Sequence, residues 1–311
     1  MSQKKEYTLA EIAEITGSQI VGNSLAVVNN IATLENANND SISFLANKKY
    51  QKHIKTTSAN AVIVSTSFEI DNRLNYLLSE DPYIAYAKLT TLFKESIFEL
   101  DNPIIHPSAV ISDESKIGQD VSIGANVVIG PNCIIGNNVI IKSNCSIVQD
   151  VEIGNYTVIH NGTVLGSDGF GYAPSKDGYV KIEQLGKLVI GKNVEIGASC
   201  TIDRGALDNT EIHDGVKLDN QIQIAHNVVL GANSAIAASC AIAGSTVIGK
   251  NFQMGGLSGV LGHLSICDDV IVGAHTLITK SINESGNYIG IMPAQKQKDW
   301  AKSSVFIKKR V

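Results

Sequence analysis

The sequence predicts a mainly β fold, in which a solenoid of six-residue units follows a small N-terminal α/β domain. An aliphatic residue or methionine recurs at every sixth position from Ile105 to Leu165, from Ile190 to Ile202 and from Ile212 to Ile278. A helix buries positions three and four apart and a strand buries alternate positions, so neither explains a period of six. A unit made of one short strand and one corner does explain it, and such units stack into a solenoid.

The composition of the unit supports this prediction. Glycine often follows the aliphatic residue, as at Gly118, Gly124 and Gly130, where a turn needs no Cβ. Small residues such as Val127 and Cys133 stand two positions before it. Only 5% of the chain is aromatic, which favours a core of stacked Ile and Val over one of packed rings. If three units make one triangular turn, the chain contains eight to nine turns of about 18 residues.

Residues 1 to about 100 lack the period and predict a small α/β domain. Thr8 and Glu11 have the spacing of a capping box, which opens a helix that ends near Gly17. The run Ala-Val-Ile-Val at 61–64 indicates a buried strand, and Tyr83–Phe93 indicates a second helix.

These patterns divide the chain into an α/β domain at 1–102, a solenoid at 103–282 and a basic helical extension at 283–311. An inserted loop at 166–188 and a shorter slip at 203–211 interrupt the solenoid. An insertion of this kind commonly maps to the binding face. From Lys280 onward seven basic residues stand against two acidic ones. This excess indicates either an acidic partner at that end or a solvated helix with a lysine face.

The remaining composition bears on location and partners. No apolar stretch approaches the ~20 residues of a membrane span, and the opening residues lack the apolar core of a secretory signal. All five cysteines are expected to be buried thiols without disulfides, which fits a reducing cytoplasm; they are Cys133, Cys145, Cys200, Cys240 and Cys267. We expect a cytoplasmic protein with no membrane span and no nucleic-acid partner.

Two histidines and one glycine are the candidates for chemistry. His226 and His263 are 37 residues apart, which is two turns plus one residue, and Gly244 follows His226 by one turn of 18. The winding therefore predicts that all three lie along one edge. A histidine of near-neutral pKa accepts a proton from an attacking nucleophile, and a bare glycine N–H holds a developing oxyanion. This combination suits transfer of an acyl group from a thioester to an amine or hydroxyl.

A metal site and a nucleotide loop are the alternatives at these residues. The zinc-dependent γ-class carbonic anhydrases, which share the six-residue repeat, need two histidine ligands about five residues apart, and no two histidines here have that spacing. The glycine-rich string at 166–171 lacks the GxGxxG order. We therefore expect no metal and no cofactor beyond a thioester co-substrate.

The repeat resembles that of the left-handed parallel β-helix acyltransferases. Within that group five motifs, SFLANKKY at 43–50, GSDGFGYA at 166–173, TIDRGA at 201–206, DNQIQIAHN at 219–227 and GHLSICDDV at 262–270, resemble the UDP-3-O-(3-hydroxyacyl)glucosamine N-acyltransferase family of lipid A biosynthesis. The resemblance covers nearly the whole chain. It implies a homotrimer with active sites between neighbouring prisms, acyl carrier protein as the donor and the 2-amine of a UDP-sugar lipid precursor as the nucleophile.

The same resemblance implies roles for individual residues. His226 matches the general base, and His263 matches a second active-site histidine that assists binding or the oxyanion. The residues implied in uridine binding are Phe44, Asn47 and Tyr50, and those in the substrate-binding stretch are Asp219, Asn220 and Gln223. Leu277, with Gly244, maps to the region that measures acyl length, and Lys280 maps to a contact with the phosphopantetheine phosphate. The family often has methionine at the position of Leu277, so acyl length stays open, and arginine at that of Lys280. Many relatives have a longer C-terminal helix, so the extent of carrier-protein contact stays open as well.

Two other functions are alternatives. The related O-acyltransferases that act on UDP-N-acetylglucosamine begin their repeats almost at the N-terminus, whereas about 100 residues precede them here. The second alternative is a binding solenoid that has lost catalysis.

Overall fold

The computed structural model describes residues 5–94, 104–290 and 294–308, with side chains up to residue 302. The chain divides into two compact units, Met1–Ile97 and Phe98–Val311. The expected boundary at 102–103 lies outside the described residues, as do 291–293 and 309–311 of the expected C-terminal extension.

The N-terminal unit is a five-stranded sheet with two helices. Its strands, in spatial order, are Gln19–Val21, Asn75–Ser79, Ala61–Ser65, Ser41–Phe44 and Asn30–Ile31, and only the first pairing is antiparallel. Tyr7–Thr8 pairs with Val27–Val28. The helices are Leu9–Thr16 and Pro82–Phe93, with a 3-10 helix at Lys48–Lys55. The capping box at Thr8 and the left-handed stop at Gly17 are confirmed.

The second unit contains a three-faced solenoid of parallel strands, so the predicted fold is confirmed. The first face consists of Ser122–Ile123, Ile140–Ile141, Val158–Ile159, Glu195–Ile196, Lys217–Leu218, Ala235–Ile236, Gln253–Met254, Val270–Val272 and Gly286–Tyr288. The second consists of Val110–Ile111, Val128–Ile129, Ser146–Ile147, Val164–Ser167, Thr201–Asp203, Gln223–Ile224, Ala241–Ile242, Gly259–Val260 and Leu277–Ile278. The third consists of Lys116–Ile117, Ile134–Ile135, Val151–Ile153, Leu188–Ile190, Thr210–Ile212, Val229–Leu230, Val247–Ile248 and Ser265–Ile266.

Regular turns contain 18 residues, because strands pair with partners 18 positions away, as Val128 does with Ser146. The periodic aliphatic residues point inward and are almost all buried. Polar residues in the small inward slot are satisfied by the next turn: the Thr163 hydroxyl donates to the Gly197 carbonyl at 2.7 Å. Stacking thus buries both the apolar side chains and the hydrogen-bonding groups of each unit.

Glycine is needed in the repeat because successive turns approach too closely there for a Cβ, and not because the backbone angle is unusual. A Cβ on Gly130 would lie 1.7 Å from the Val148 carbonyl oxygen in the next turn. The left-handed backbone angle falls two residues later, at asparagine, aspartate or serine in most corners, as at Asn132 with φ 56°. Short polar residues tolerate this conformation best after glycine.

The two interruptions have defined structures. The inserted segment at 166–188 is not merely a loop, since Tyr172–Ser175 and Gly178–Lys181 pair as an antiparallel hairpin. The slip at 203–211 lengthens one turn to 22 residues, so that Thr201 pairs with Gln223. The first face continues to Gly286–Tyr288, beyond residue 282. A C-terminal helix follows at Gln297–Lys308.

The cysteine prediction is wrong in one detail. Four cysteines are buried in the inward slot, but Cys267 is only partly buried. Burial raises the pKa of the Cys133, Cys145, Cys200 and Cys240 thiols. Among the helices that the structure describes, none has the length and hydropathy of a membrane span.

Candidate active site

The edge predicted for His226, Gly244 and His263 is the corner between the second and third faces. We call it the histidine corner and define it by residues 204, 226, 244, 262–263 and 280. The Ser245 N–H donates to the His226 carbonyl and the His263 N–H donates to the Gly244 carbonyl, both at 3.0 Å. Gly244 therefore lies one turn above His226, as its spacing predicts. His263 is one position further along the corner, with a left-handed φ of 60° and an exposed side chain.

The His226 imidazole is held between two glycines. A Cβ on Gly244 would lie 2.9 Å from both Nε2 and Cε1 of the ring. A Cβ on Gly169, from the inserted segment, would lie 2.7 Å from the His226 Cβ and 2.9 Å from its Cδ2. The Gly169 segment is tied to the hairpin by an ion pair of 2.5 Å between Lys181 and Asp168. Only glycine leaves room for the ring on both sides.

The polar groups at the corner suit a proton acceptor and an oxyanion. The Nδ1 atom of His226 lies 3.0 Å from Oδ1 of Asn227. The Gly244 N–H makes no hydrogen bond to any part of the chain that the structure describes. A free backbone donor on the residue that packs against the Cε1–Nε2 edge of the ring suits a reaction in which an oxyanion forms while the nucleophile loses its proton.

Asp203 lies beneath this corner and is 9% exposed. Its carboxylate accepts hydrogen bonds from the Gln223 amide at 3.0 Å and from the Ser167 hydroxyl at 3.2 Å. Burial raises the pKa of the Asp203 carboxyl, while these hydrogen bonds and the charge of His226 act in the opposite direction. The Asp203 carboxyl is therefore close enough to His226 for their charges to interact.

The next residue, Arg204, is 4% exposed and has a structural role. Its Nε donates to the Gly186 carbonyl at 2.8 Å and its Nη2 bonds Asp150 at 2.9 Å. These two contacts fasten the 22-residue turn to the two turns below it.

The substrate-binding stretch is split between one corner and the second face. Asp219 and Asn220 lie at the corner between the first and second faces, whereas Gln223 lies on the second face. Asp219 accepts hydrogen bonds from the N–H groups of Asn220 and Ala238 at 2.8 and 3.1 Å. Oδ1 of Asn220 accepts from the Ala198 N–H at 2.7 Å. These oxygens thus hold successive turns together, as similar side chains do at other corners.

The second face carries a trough of small residues. Leu277, Gly259, Ala241 and Gln223 form one column of paired positions. Leu277 is 57% exposed, and its Cδ1 would lie 3.2 Å from a Cβ on Gly259. Leu277 therefore closes one end of the trough. Lys280 is exposed at the histidine corner, two turns above Gly244.

The N-terminal unit has a cavity of its own, of about 680 Å³. Phe44, Asn47 and Tyr50 line it together, along with the exposed Tyr83. One face of Phe44 stacks on Tyr86, with centroids 3.8 Å apart. Oδ1 of Asn47 caps the 3-10 helix by accepting from the Lys49 N–H at 3.0 Å. The three residues implied by the SFLANKKY motif are thus neighbours in one pocket.

Sequence reasoning missed Gly169, Asp203 and Asn227 as parts of the site. All three stand inside the quoted motifs, and Asn227 directly follows His226, but the period gives no reason to single them out. Within the described ranges, no group of three or more His, Cys, Asp or Glu side chains is arranged to hold a metal ion.

Comparisons with known proteins match both units. The family model described as UDP-3-O-(3-hydroxymyristoyl) glucosamine N-acyltransferase, LpxD, matches residues 26–92, and that of the GMPPB C-terminal domain matches 100–169. A Hahella chejuensis protein named UDP-3-O-acylglucosamine N-acyltransferase is 45% identical, covering 96% of this chain and 90% of its own. The protein of the same name from Aromatoleum aromaticum is 47% identical, covering 96% and 93%.

Two solved structures share the solenoid. The Acinetobacter baumannii LpxA structure has a TM-score of 0.54 at 26% identity and covers 60% of this chain and 70% of its own. The UDP-N-acetylglucosamine acyltransferase of Campylobacter jejuni has a TM-score of 0.54 at 24% identity, covering 65% and 82%. The second likeness shows the fold alone.

A left-handed β-helix with a corner histidine beside a free glycine N–H defines a hexapeptide-repeat acyltransferase. Sequence identity to named relatives over nearly the whole chain shows which of these acyltransferase families it belongs to. The chain belongs to the UDP-3-O-acylglucosamine N-acyltransferase family, and it is an N-acyltransferase of lipid A biosynthesis. The O-acyltransferase and the silent solenoid are not favoured.

Proposed function

We propose that the chain transfers a 3-hydroxyacyl group from the thioester of acyl carrier protein to the 2-amine of UDP-3-O-(3-hydroxyacyl)-glucosamine. The observation that carries the proposal is the pairing of the His226 ring with the free N–H of Gly244 at one corner. The names of the relatives support the choice of acceptor.

The reaction follows from these two groups. The neutral amine attacks the thioester carbonyl, and His226 takes a proton from the nitrogen as the new C–N bond forms. The Gly244 N–H donates to the oxyanion of the tetrahedral intermediate, with His263 as a second donor from the same corner. The intermediate then collapses, the C–S bond breaks, and the carrier thiolate takes the proton back from the imidazolium. No cofactor other than the carrier's phosphopantetheine is needed.

The remaining residues bind the two substrates. The cavity of the N-terminal unit takes the uridine, because Phe44 and Tyr50 offer flat apolar surface and Asn47 an amide for the edge of the base. The trough on the second face takes the acyl chain, with Leu277 at its end. Lys280 meets the phosphate of the phosphopantetheine arm as a point charge.

A homotrimer completes the site. His226 and the pair Asp219–Asn220 belong to different corners of one prism, so a single chain does not surround one substrate with both. A groove between two prisms brings the histidine corner of one copy to the other corner of its neighbour. Light scattering should give a particle of about three times 33.1 kDa. We place this enzyme in the cytoplasm, where its buried thiols stay reduced.

The deciding experiment compares acceptors and histidine variants. We expect the purified chain to acylate the 2-amino sugar and not UDP-N-acetylglucosamine, with a 3-hydroxyacyl carrier protein as donor. His226→Gln should lose about 10²-fold or more of kcat/KM. The matched control is His275→Gln, because His275 is a corner histidine as well but lies at a different corner. A fully active His226→Gln protein would contradict the mechanism, and turnover of the N-acetyl sugar would contradict the acceptor.

A further inference from the structure

Asn227 has its amide orientation fixed by the backbone around it. Its Oδ1 accepts from the Ala206 N–H at 3.0 Å, and its Nδ2 donates to the Asp208 carbonyl at 2.9 Å. A backbone N–H cannot accept and a carbonyl cannot donate, so only one placement of the amide oxygen and nitrogen satisfies both contacts. The Asn227 N–H also donates to the Thr210 hydroxyl at 2.8 Å, which holds the residue from its main chain.

This orientation decides which nitrogen of His226 carries the proton. Nδ1 of the ring lies 3.0 Å from Oδ1 of Asn227, and an amide oxygen only accepts. Nδ1 must therefore be the protonated nitrogen. A neutral imidazole has a single N–H, so Nε2 carries the lone pair, and Nε2 is the atom beside Gly244.

We propose that Asn227 is a positioning residue that fixes the Nδ1–H tautomer of His226, so that Nε2 is the atom that accepts the proton from the attacking amine. The proposal rests on the proposed role of His226 as the base. Imidazole in water favours the opposite tautomer, with the proton on Nε2, so the contact with Asn227 reverses the intrinsic preference. When Nε2 is protonated, Nδ1–H remains a donor to the same oxygen, and the ring does not have to turn during the reaction.

The second interruption of the repeat supplies the anchors for Asn227. Ala206 and Asp208 belong to the extra residues of the 22-residue turn. Where turns are regular, a corner asparagine bonds the next corner instead, as Asn251 does with Asp269 at 2.9 Å. The lengthened turn thus places the Ala206 N–H and the Asp208 carbonyl within hydrogen-bond distance of the Asn227 amide.

The amide also differs from a carboxylate in its effect on the base. A carboxylate at this position would add a second negative charge close to the ring, beside the one on Asp203. A neutral amide orients the ring without that charge.

The test uses three variants and two measurements. Asn227→Gly removes the side chain and tolerates the left-handed φ of 60°, and Asn251→Gly is the matched control at a corner with φ 57°. Asn227→Asp keeps the acceptor and adds a charge. The measurements are kcat/KM against pH and the ring 15N shifts of His226 in protein labelled at histidine, assigned with His226→Gln.

We expect the Nδ1–H signature in the unaltered protein and a shift towards Nε2–H in Asn227→Gly. The kcat of Asn227→Gly should fall by about 10²-fold with little change in acceptor KM, while Asn251→Gly should stay near normal. Asn227→Asp should keep the Nδ1–H signature, because its carboxylate still accepts from Nδ1.

An Nε2–H signature in the unaltered protein would overturn the proposal, as would an unchanged rate and spectrum in Asn227→Gly. If His226→Gln is inactive and Asn227→Gly is normal, the assignment of the tautomer fails alone. If His226→Gln is active, the proposed function fails instead.

Discussion

A methyl group on Gly244 tests the geometry of the histidine corner most directly. In Gly244→Ala the new carbon would lie 2.9 Å from Nε2 and Cε1 of His226, whereas unstrained heavy-atom contacts begin near ~3.5 Å. The ring has to move by about 0.5 Å or more, and Gly169 already contacts it near Cβ and Cδ2. The ring therefore turns, which stretches its hydrogen bond to Asn227.

The size of the effect differs between stability and catalysis. One weakened hydrogen bond costs about 1 kcal/mol and a strained rotamer about 1 kcal/mol, so unfolding should become easier by about 2 kcal/mol. The methyl group also crowds the approach to the Gly244 N–H. Loss of an oxyanion donor costs about 10²–10³ in kcat, and the displaced base adds to this. We expect kcat/KM to fall by at least about 10²-fold.

The control is Gly256→Ala, which places a methyl group at the same position of a different corner. Its carbon would lie 3.2 Å from the Ala238 carbonyl oxygen and would meet no histidine. Steady-state kinetics and thermal melts of both variants, with the unaltered protein, separate packing from chemistry. Normal activity in Gly244→Ala would refute the placement of the oxyanion and the base, and so would an equal loss of activity in Gly256→Ala.

Two further predictions concern charge and acyl length. Burial raises the pKa of Asp203, so the folded protein binds the carboxyl proton more tightly than the unfolded chain does. Proton binding therefore stabilises the folded protein at low pH, and this stabilisation is lost as pH rises through the folded-state pKa. Asp203→Asn should therefore gain melting temperature relative to the unaltered protein as pH rises. A difference in melting temperature that does not grow with pH would contradict the cost of burying this carboxylate. Leu277→Ala should open the end of the trough and shift products towards longer acyl chains, and Gly259→Val should shift them towards shorter ones. Mass spectrometry of products from a mixed carrier-protein pool measures this, and an unchanged product distribution in both variants would show that the trough does not hold the chain.

The regular turns of the solenoid and the histidine corner could be predicted from the sequence, because a solenoid is nearly one-dimensional. Each unit contacts only the units one turn away, so a separation of 18 residues translates into adjacency in space. The spacing of His226 and Gly244 therefore predicts their contact. The capping box at Thr8 is likewise local, since it depends on residues three positions apart.

The segments that break the period could not be placed in this way. Gly169 and Asp203 reach His226 through an inserted segment and a lengthened turn, whose paths depend on contacts such as the one between Arg204 and Asp150. The motifs show that these segments resemble those of the family, but they do not reveal which residues the segments contact.

The sequence by itself determined a β-helix, its histidine corner and the family of the enzyme, because period and motif are properties of order along the chain. The tertiary structure alone decided which nitrogen of His226 is free, since that depends on the backbone of Ala206 and Asp208 meeting Asn227. It also showed that side-chain oxygens of Asp219 and Asn220 accept hydrogen bonds from neighbouring turns. Hydrogen-bond direction is a property of atoms brought together from distant positions, and no spacing in the sequence encodes it.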